Sequence, residues 1–312
     1  EAMMSGLPVA GVLLLTVFFG RRALYPWSRP ELVRHDPLLA ARGGYLNTPF
    51  FFARMLLILT IWVLFALYVR RISLAQDRHG AGGHASHRLL GRLSAAFIGV
   101  FALSFSLASF DWLMSIDAHW YSTIFAVYCF AGMLLAGLAA ITLTVTILHE
   151  RGALRGIVNE SHLHDLGKLL FAFSIFWAYI WLSQYLLIWY ANIPDEASYY
   201  FLRTGGAWLP AFALVFVLNW IVPFTVLMTR AAKRNPAVLK WISVVLLAGH
   251  WLDLYVVVAP PVLARLRLGL PELLITAGYA GLFFYIAARS FVRAPVVAQN
   301  DPYLRESLHH HQ

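Results

Sequence analysis

Apolar runs of bilayer length recur along the whole chain, at residues 2–19, 51–69, 93–113, 122–148, 169–189, 208–228, 241–260 and 271–288. A helix needs roughly 17–25 mostly apolar residues to cross the hydrocarbon core, and a spanning segment must satisfy its own backbone hydrogen bonds there. The sequence therefore predicts an all-α fold, a polytopic transmembrane helical bundle with about eight spans in residues 1–298, followed by a polar tail at 299–312. Composition agrees: 60% of the residues are hydrophobic and 12% charged, against roughly 25% charged in a soluble domain. The net charge of +9 would suggest a polyanion ligand in a soluble protein. Here the Lys and Arg fall between the apolar runs, so the charge reads as topology, and no nucleic-acid partner is expected. The larger share lies in the loops holding Arg70, Arg71, Arg88, Arg92, Arg151, Arg155, Arg230, Lys233 and Arg234. By the positive-inside rule that side, with both chain ends, is expected in the cytoplasm. The chain starts Glu1, Ala2, Met3, Met4 without a charged leader, which reads as a truncated start and not as a signal peptide.

Cys129 is the single cysteine and lies in an apolar run. Disulfides, covalent haem and thiolate-held clusters are excluded, so any electron carrier must diffuse in or belong to a partner. In the segment 77–87, His79, His84 and His87 stand among glycines. That segment is expected to be an exposed loop without the fixed geometry a metal needs, and no metal site is predicted. The loop at 20–49, with Tyr25, Pro26, Trp27 and the Gly43–Gly44 pair, is expected along the outer face at headgroup depth.

Ionisable residues inside or at the lip of spans cost free energy and so mark candidate sites. Asp111, Asp117 and His119 sit at the junction of the third and fourth runs. Asp111, at the lip of a span, is a functional candidate by default, and Asp117 and His119 are proton-path candidates or wet turn and interface residues. Ahead of the fifth run come His162, His164, Asp165 and Lys168, with Asp165 and Lys168 spaced to face each other on a helix. Two readings stand for this group: a proton-collecting mouth, or an N-terminal cap in which Ser161 and Asp165 hold free amides. In the fifth run Trp177, Trp181 and Tyr185 repeat every four residues beside Gln184, a stripe that either packs helices or lines a flat redox ligand such as a quinone. Asn219 and Pro223 predict a kink in the sixth run. In the seventh, His250 and Asp253 share a face near mid-bilayer, as a structural pair or as a proton relay.

Several motifs together carry a resemblance. Leu24, Tyr25, Pro26 and Trp27; Phe110 to Ser115 with His119, Trp120, Ser122 and Thr123; His162 to Lys168 leading into Trp177, Ala178, Tyr179, Ser183, Gln184 and Tyr185; and Asp301 with Pro302 resemble the ActF-type membrane subunits of bacterial alternative complex III, an NrfD-like, polysulfide-reductase-type family. The resemblance covers nearly the whole chain and is most specific over 162–194. It implies an integral subunit of a quinol:cytochrome c (or oxidase) electron-transfer complex in the bacterial inner membrane, with two further helices at the amino end. It implies as partners an ActC-like paralogue, an iron-sulfur subunit and a multihaem cytochrome c subunit, so that haem and iron-sulfur clusters lie outside this chain and a quinone is its one candidate ligand. By position it implies proton-path or quinone roles for Asp111, His119, His164, Asp165, Gln184, Tyr185, His250 and Asp253. Asp117 and Ala118 stand where that family commonly has Glu and Pro, which keeps the carboxylate and loosens the turn. A secondary transporter and a purely structural anchor are the alternative functions, the former opposed by the lack of an inverted repeat.

Overall fold

The computed structural model describes residues 2–79, 83–263 and 265–310. Among them no strand occurs, and seven helices are long and apolar enough to cross a membrane, or eight if one bent pair counts as a single span. The protein is therefore an all-α, multi-pass membrane protein. Its chain forms two compact units, residues 1–108 with 267–306, and residues 109–266 with 307–312.

In the first unit, α1 (Leu7–Leu15) and α2 (Val17–Leu24) make the bent pair, turned by 52°. The bend falls at Thr16, whose hydroxyl donates to the Leu13 carbonyl. Two short helices, α3 (Pro30–His35) and α4 (Pro37–Ala41), follow. The loop at 20–49 buries its aromatic residues within the protein. Tyr25 and Trp27 pack with Phe51 at ring separations of 4.9–5.1 Å and are almost wholly enclosed.

Next come two long helices, α5 (Thr48–His79) and α6 (Gly83–Ala108). Helix persists to His79 and resumes at Gly83 within the segment expected to be an exposed loop; residues 80–82 lie outside the described residues. Phe65 stacks on Phe97 at 3.8 Å, and the Trp62 indole donates to Ser104. After α14 (Leu270–Arg293) the start of the polar tail is bonded to the end of α5. Gln76 donates to the Asn300 carbonyl, Asn300 donates back to the carbonyls of Gln76 and Asp77, and the Gln299 amide reaches the Asp77 carboxylate.

The second unit is built on α7 (Phe125–Glu150), α8 (Glu160–Ala191) and α13 (Pro236–Val258). Ala131, Leu135 and Ala139 of α7, Leu170 and Trp177 of α8, and Leu239, Leu246 and Val256 of α13 are all buried in one core. Small residues let these helices come close, since lipid offers no hydrophobic drive and packing must supply the association. A Cβ on Gly132 would lie 2.8 Å from the His250 ring, and one on Gly249 2.9 Å from Leu218 and Asn219.

Helix α8 starts earlier than the apolar run suggested, and its cap differs from the one expected. Asn159, not Ser161 or Asp165, accepts from the amides of Ser161 and His162, while the His162 ring accepts from the Asn159 amide. Histidine here takes the place that Glu or Gln usually fills in a capping box. The helix ends at Asn192, in the left-handed conformation with φ 49°.

Between α8 and α13 lie α9 (Pro194–Thr204), α10 (Trp208–Phe216), α11 (Val222–Val226) and α12 (Arg230–Arg234). Pro223 cannot donate a backbone hydrogen bond and its ring crowds the carbonyl one turn back. The chain absorbs this in a π-helical turn, Val217–Ile221, whose buried Asn219 donates to the Val215 carbonyl. The last helix, α15 (Leu304–Leu308), belongs to the tail.

Candidate functional site: a buried polar core

Asp253 is the centre of the second unit's polar groups. It lies on the α13 face turned to α7, is 4% exposed, and accepts a hydrogen bond from the Tyr128 hydroxyl. A carboxylate at this depth is tolerable only with such a partner. His250, one turn earlier, keeps its Nδ1 3.9 Å from the Asp253 carboxylate. That exceeds hydrogen-bond length, and this buried nitrogen has no hydrogen-bond partner among the described residues. The spacing puts the two on one face and within ion-pair distance but not in a hydrogen bond, and the imidazole ring lies against Gly132 of α7.

A second buried charge completes the core. Arg203 of α9 is 2% exposed and spends its guanidinium on backbone carbonyls: Nε to Val256 at 3.0 Å, one terminal nitrogen to Tyr199 at 2.8 Å and the other to Val257 at 2.7 Å. Its flat face lies 3.4 Å over the Tyr199 ring. The carbonyls of Val256 and Val257 are near the end of α13, where helix carbonyls lack intrahelical partners and the dipole favours a cation. Arg203 thus caps α13 from another helix.

Two small cavities flank this arginine. One, of about 10 Å³, is lined by Tyr128, Gln184, Tyr199, Tyr200, Arg203 and Asp253 with apolar neighbours. The other, also about 10 Å³, is lined by Asp117, Trp120, Tyr199, Arg203, Val257 and further apolar side chains. Each has the room of roughly one water. Tyr199, Arg203 and Val257 are common to both. Gln184 Oε1 and Asp117 Oδ2 are buried acceptors without a protein donor among the described residues, the setting in which ordered water is found. Burial pushes the Tyr199 hydroxyl up to about 12, against the opposing pull of Arg203. Burial raises Tyr200 further, with Tyr199 adding to it. Both phenols therefore stay protonated at neutral pH and can both donate and accept.

The structure thus places Asp253 and Gln184 on one of these cavities and Asp117 on the other, and leaves the other sequence candidates off both. Asp111 is buried in a π-helical turn, Ser109–Leu113, and the Ser115 hydroxyl donates to its carbonyl oxygen. His119 is exposed. Tyr185 meets Tyr200 edge-on at 5.0 Å. Asp165 binds Lys168 at 2.7 Å and His310 at 2.8 Å, at the opposite end of α8; His164 is half-buried beside them. From Lys168 to Gln184 the helix runs about 24 Å. The hydroxyls buried in that half of the core, Thr142, Thr146, Ser174 and Ser243, each donate to a carbonyl of their own helix.

The aromatic stripe is packing. Trp177 is fully buried, and Trp181 fits against Phe212 and Phe216 at 4.9 and 4.8 Å. The cavity beside Trp181 and Gln184 is water-sized. Among the described residues no group of three or more His, Cys, Asp or Glu could hold a metal.

Tyr128, Tyr199, Tyr200 and Arg203 are not legible from local sequence. Arg203 reads as a loop charge, yet Pro194 with Asp195 and Glu196 at one end and Arg203 at the other mark a helix, with acids at its start and a base at its end. No protein-family model matches the chain, and no curated protein matches it either.

Proposed function

We propose that this chain is the proton-conducting membrane subunit of a quinol:cytochrome c (or oxidase) electron-transfer complex of the alternative complex III type, in the bacterial inner membrane with both ends of the chain cytoplasmic. The observation that carries the proton role is the pair of water-sized cavities that share Tyr199 and Arg203, with Asp253 on one and Asp117 on the other. A proton leaves the Asp253 carboxyl for water in the first cavity, passes by exchange through the Tyr199 hydroxyl, and reaches water and the Asp117 carboxylate in the second. Asp253 ends as the carboxylate and Asp117 as the acid, so charge and protons balance. Tyr199 gives up one proton as it takes another, and no tyrosinate forms. Arg203 does not relay, because a guanidinium keeps its protons; it holds the Tyr199 carbonyl and the end of α13 in place.

Quinol oxidation belongs, in this reading, to the ActC-like paralogue, with iron-sulfur and multihaem cytochrome c subunits taking the electrons. The space in this core favours proton conduction over solute transport, since a site of about 10 Å³ takes nothing larger than water. The test is purification of the chain from its native membranes. Co-isolation of haem c and iron-sulfur proteins, with quinol-driven proton release that falls in Asp253→Asn, is the expected result. Isolation as a lone protein, or a complex whose proton release ignores both Asp253 and Asp117, would refute it.

A further inference from the structure

A separate feature in the first unit points to a lipid. Between α5 and α6 runs a groove of about 440 Å³, lined by Ile61, Leu64, Phe65 and Tyr68 from one helix and Leu93, Ala96, Phe97 and Val100 from the other. That is the size of a small-molecule site, and its wall offers apolar surface with a single hydroxyl. Leu64 and Tyr68 are 61% and 51% exposed, so the groove opens outward along two membrane-length helices.

What stands at its end decides the occupant. The antiparallel register is set by Phe65 stacked on Phe97 and by Trp62 tilted against Phe101. Continuing that register one turn past Tyr68 brings Arg71 level with Arg92. Both side chains are exposed. They share the flank of the groove's end, where long arginine side chains reach the headgroup layer. We propose that this groove binds an anionic diacyl phospholipid, one acyl chain lying between Phe65 and Phe97 on one side and Leu64, Tyr68 and Val100 on the other, and the phosphate held by Arg71 and Arg92. Arginine matches phosphate geometry, and the cytoplasmic leaflet carries the anionic lipids.

The test is native mass spectrometry of the full chain in detergent, titrated with phosphatidylglycerol and, separately, phosphatidylcholine of the same acyl chains. Phosphatidylglycerol should be retained roughly 30-fold better, the preference two basic side chains supply near a headgroup. Arg71→Gln with Arg92→Gln should remove the preference. Ala96→Trp, which fills the groove, should remove retention of both lipids, while Arg289→Gln on α14 should change nothing. Equal retention of the two lipids, retention undiminished in Ala96→Trp, or displacement by a quinone at equal concentration would overturn the proposal. None of these outcomes bears on proton movement in the second unit.

Discussion

Tyr128 of α7 donates its hydroxyl to the Asp253 carboxylate of α13, residues 125 positions apart in sequence, while His250 on the same turn as Asp253 stays 3.9 Å away. The acid is therefore held by a phenol from another helix and not by its sequence neighbour. In an assembled complex Asp253→Asn should slow proton-coupled turnover at least tenfold, and by more than Asp117→Asn, because Asp117 is the half-buried member nearer the loop. Proton release in proteoliposomes measures this. Equal rates in the two variants would remove the ranking.

Tyr128→Phe keeps the ring and deletes only the donor. A buried acceptor left without its partner costs roughly 1–3 kcal/mol, so the melting midpoint in detergent should fall. Asp253→Ala combined with Tyr128→Phe should cost less than the two single changes added together, since each removes the same contact. Strict additivity would show that the two groups do not interact.

Two glycines of α7 should respond in opposite directions. At Gly132 a methyl group would meet His250 Cε1 at 2.8 Å and Nδ1 at 3.0 Å, whereas at Gly137 nothing lies within 4 Å. Gly132→Ala should lower stability by roughly 1–3 kcal/mol through overpacking. Gly137→Ala should raise it by roughly 0.5–1 kcal/mol, the gain of Ala over Gly within a helix. Melting curves of the two variants compare them directly, and a destabilised Gly137→Ala would mean that its open surface is covered by a partner.

Arg203 satisfies three carbonyls with one fork of donors. Lysine presents a single point charge and cannot reproduce that geometry, so Arg203→Lys should rescue little of what Arg203→Gln loses. Each buried carbonyl left open costs roughly 1–3 kcal/mol. Wild-type stability in Arg203→Lys would show that charge alone, and not the fork, holds the end of α13.

The fold was largely readable because membrane helices announce themselves by length and hydropathy. The Asp165–Lys168 pair was readable for a similar reason, since three residues on a helix are neighbours and the two meet at 2.7 Å. The polar core was readable only in half. Asp253 and Gln184 stood out as polar groups within apolar runs, but their surroundings depend on contacts between distant helices. Tyr128 looks like any aromatic of a spanning helix until α13 is laid against it. Arg203 looks like a loop charge until α9 folds back over the end of α13. The His162 cap was missed because imidazole is a rare substitute for Glu at that position.

Tyr199 gives an alkaline signature. Its ordinary value is 10.0, and burial moves it to about 12 in the folded protein. The folded state then holds this proton where the unfolded chain has released it. The sign follows: the stability from this group is complete below about pH 10 and is lost as pH rises through about 12. The move from 10.0 to about 12 corresponds to about 3 kcal/mol. The wild-type melting midpoint should therefore fall between pH 10 and 12 more steeply than that of Tyr199→Phe, and tyrosinate absorbance in the variant should lack one late-titrating phenol. Parallel midpoint curves for the two proteins would mean that the Tyr199 hydroxyl is open to bulk solvent in the folded protein and not enclosed between the two cavities.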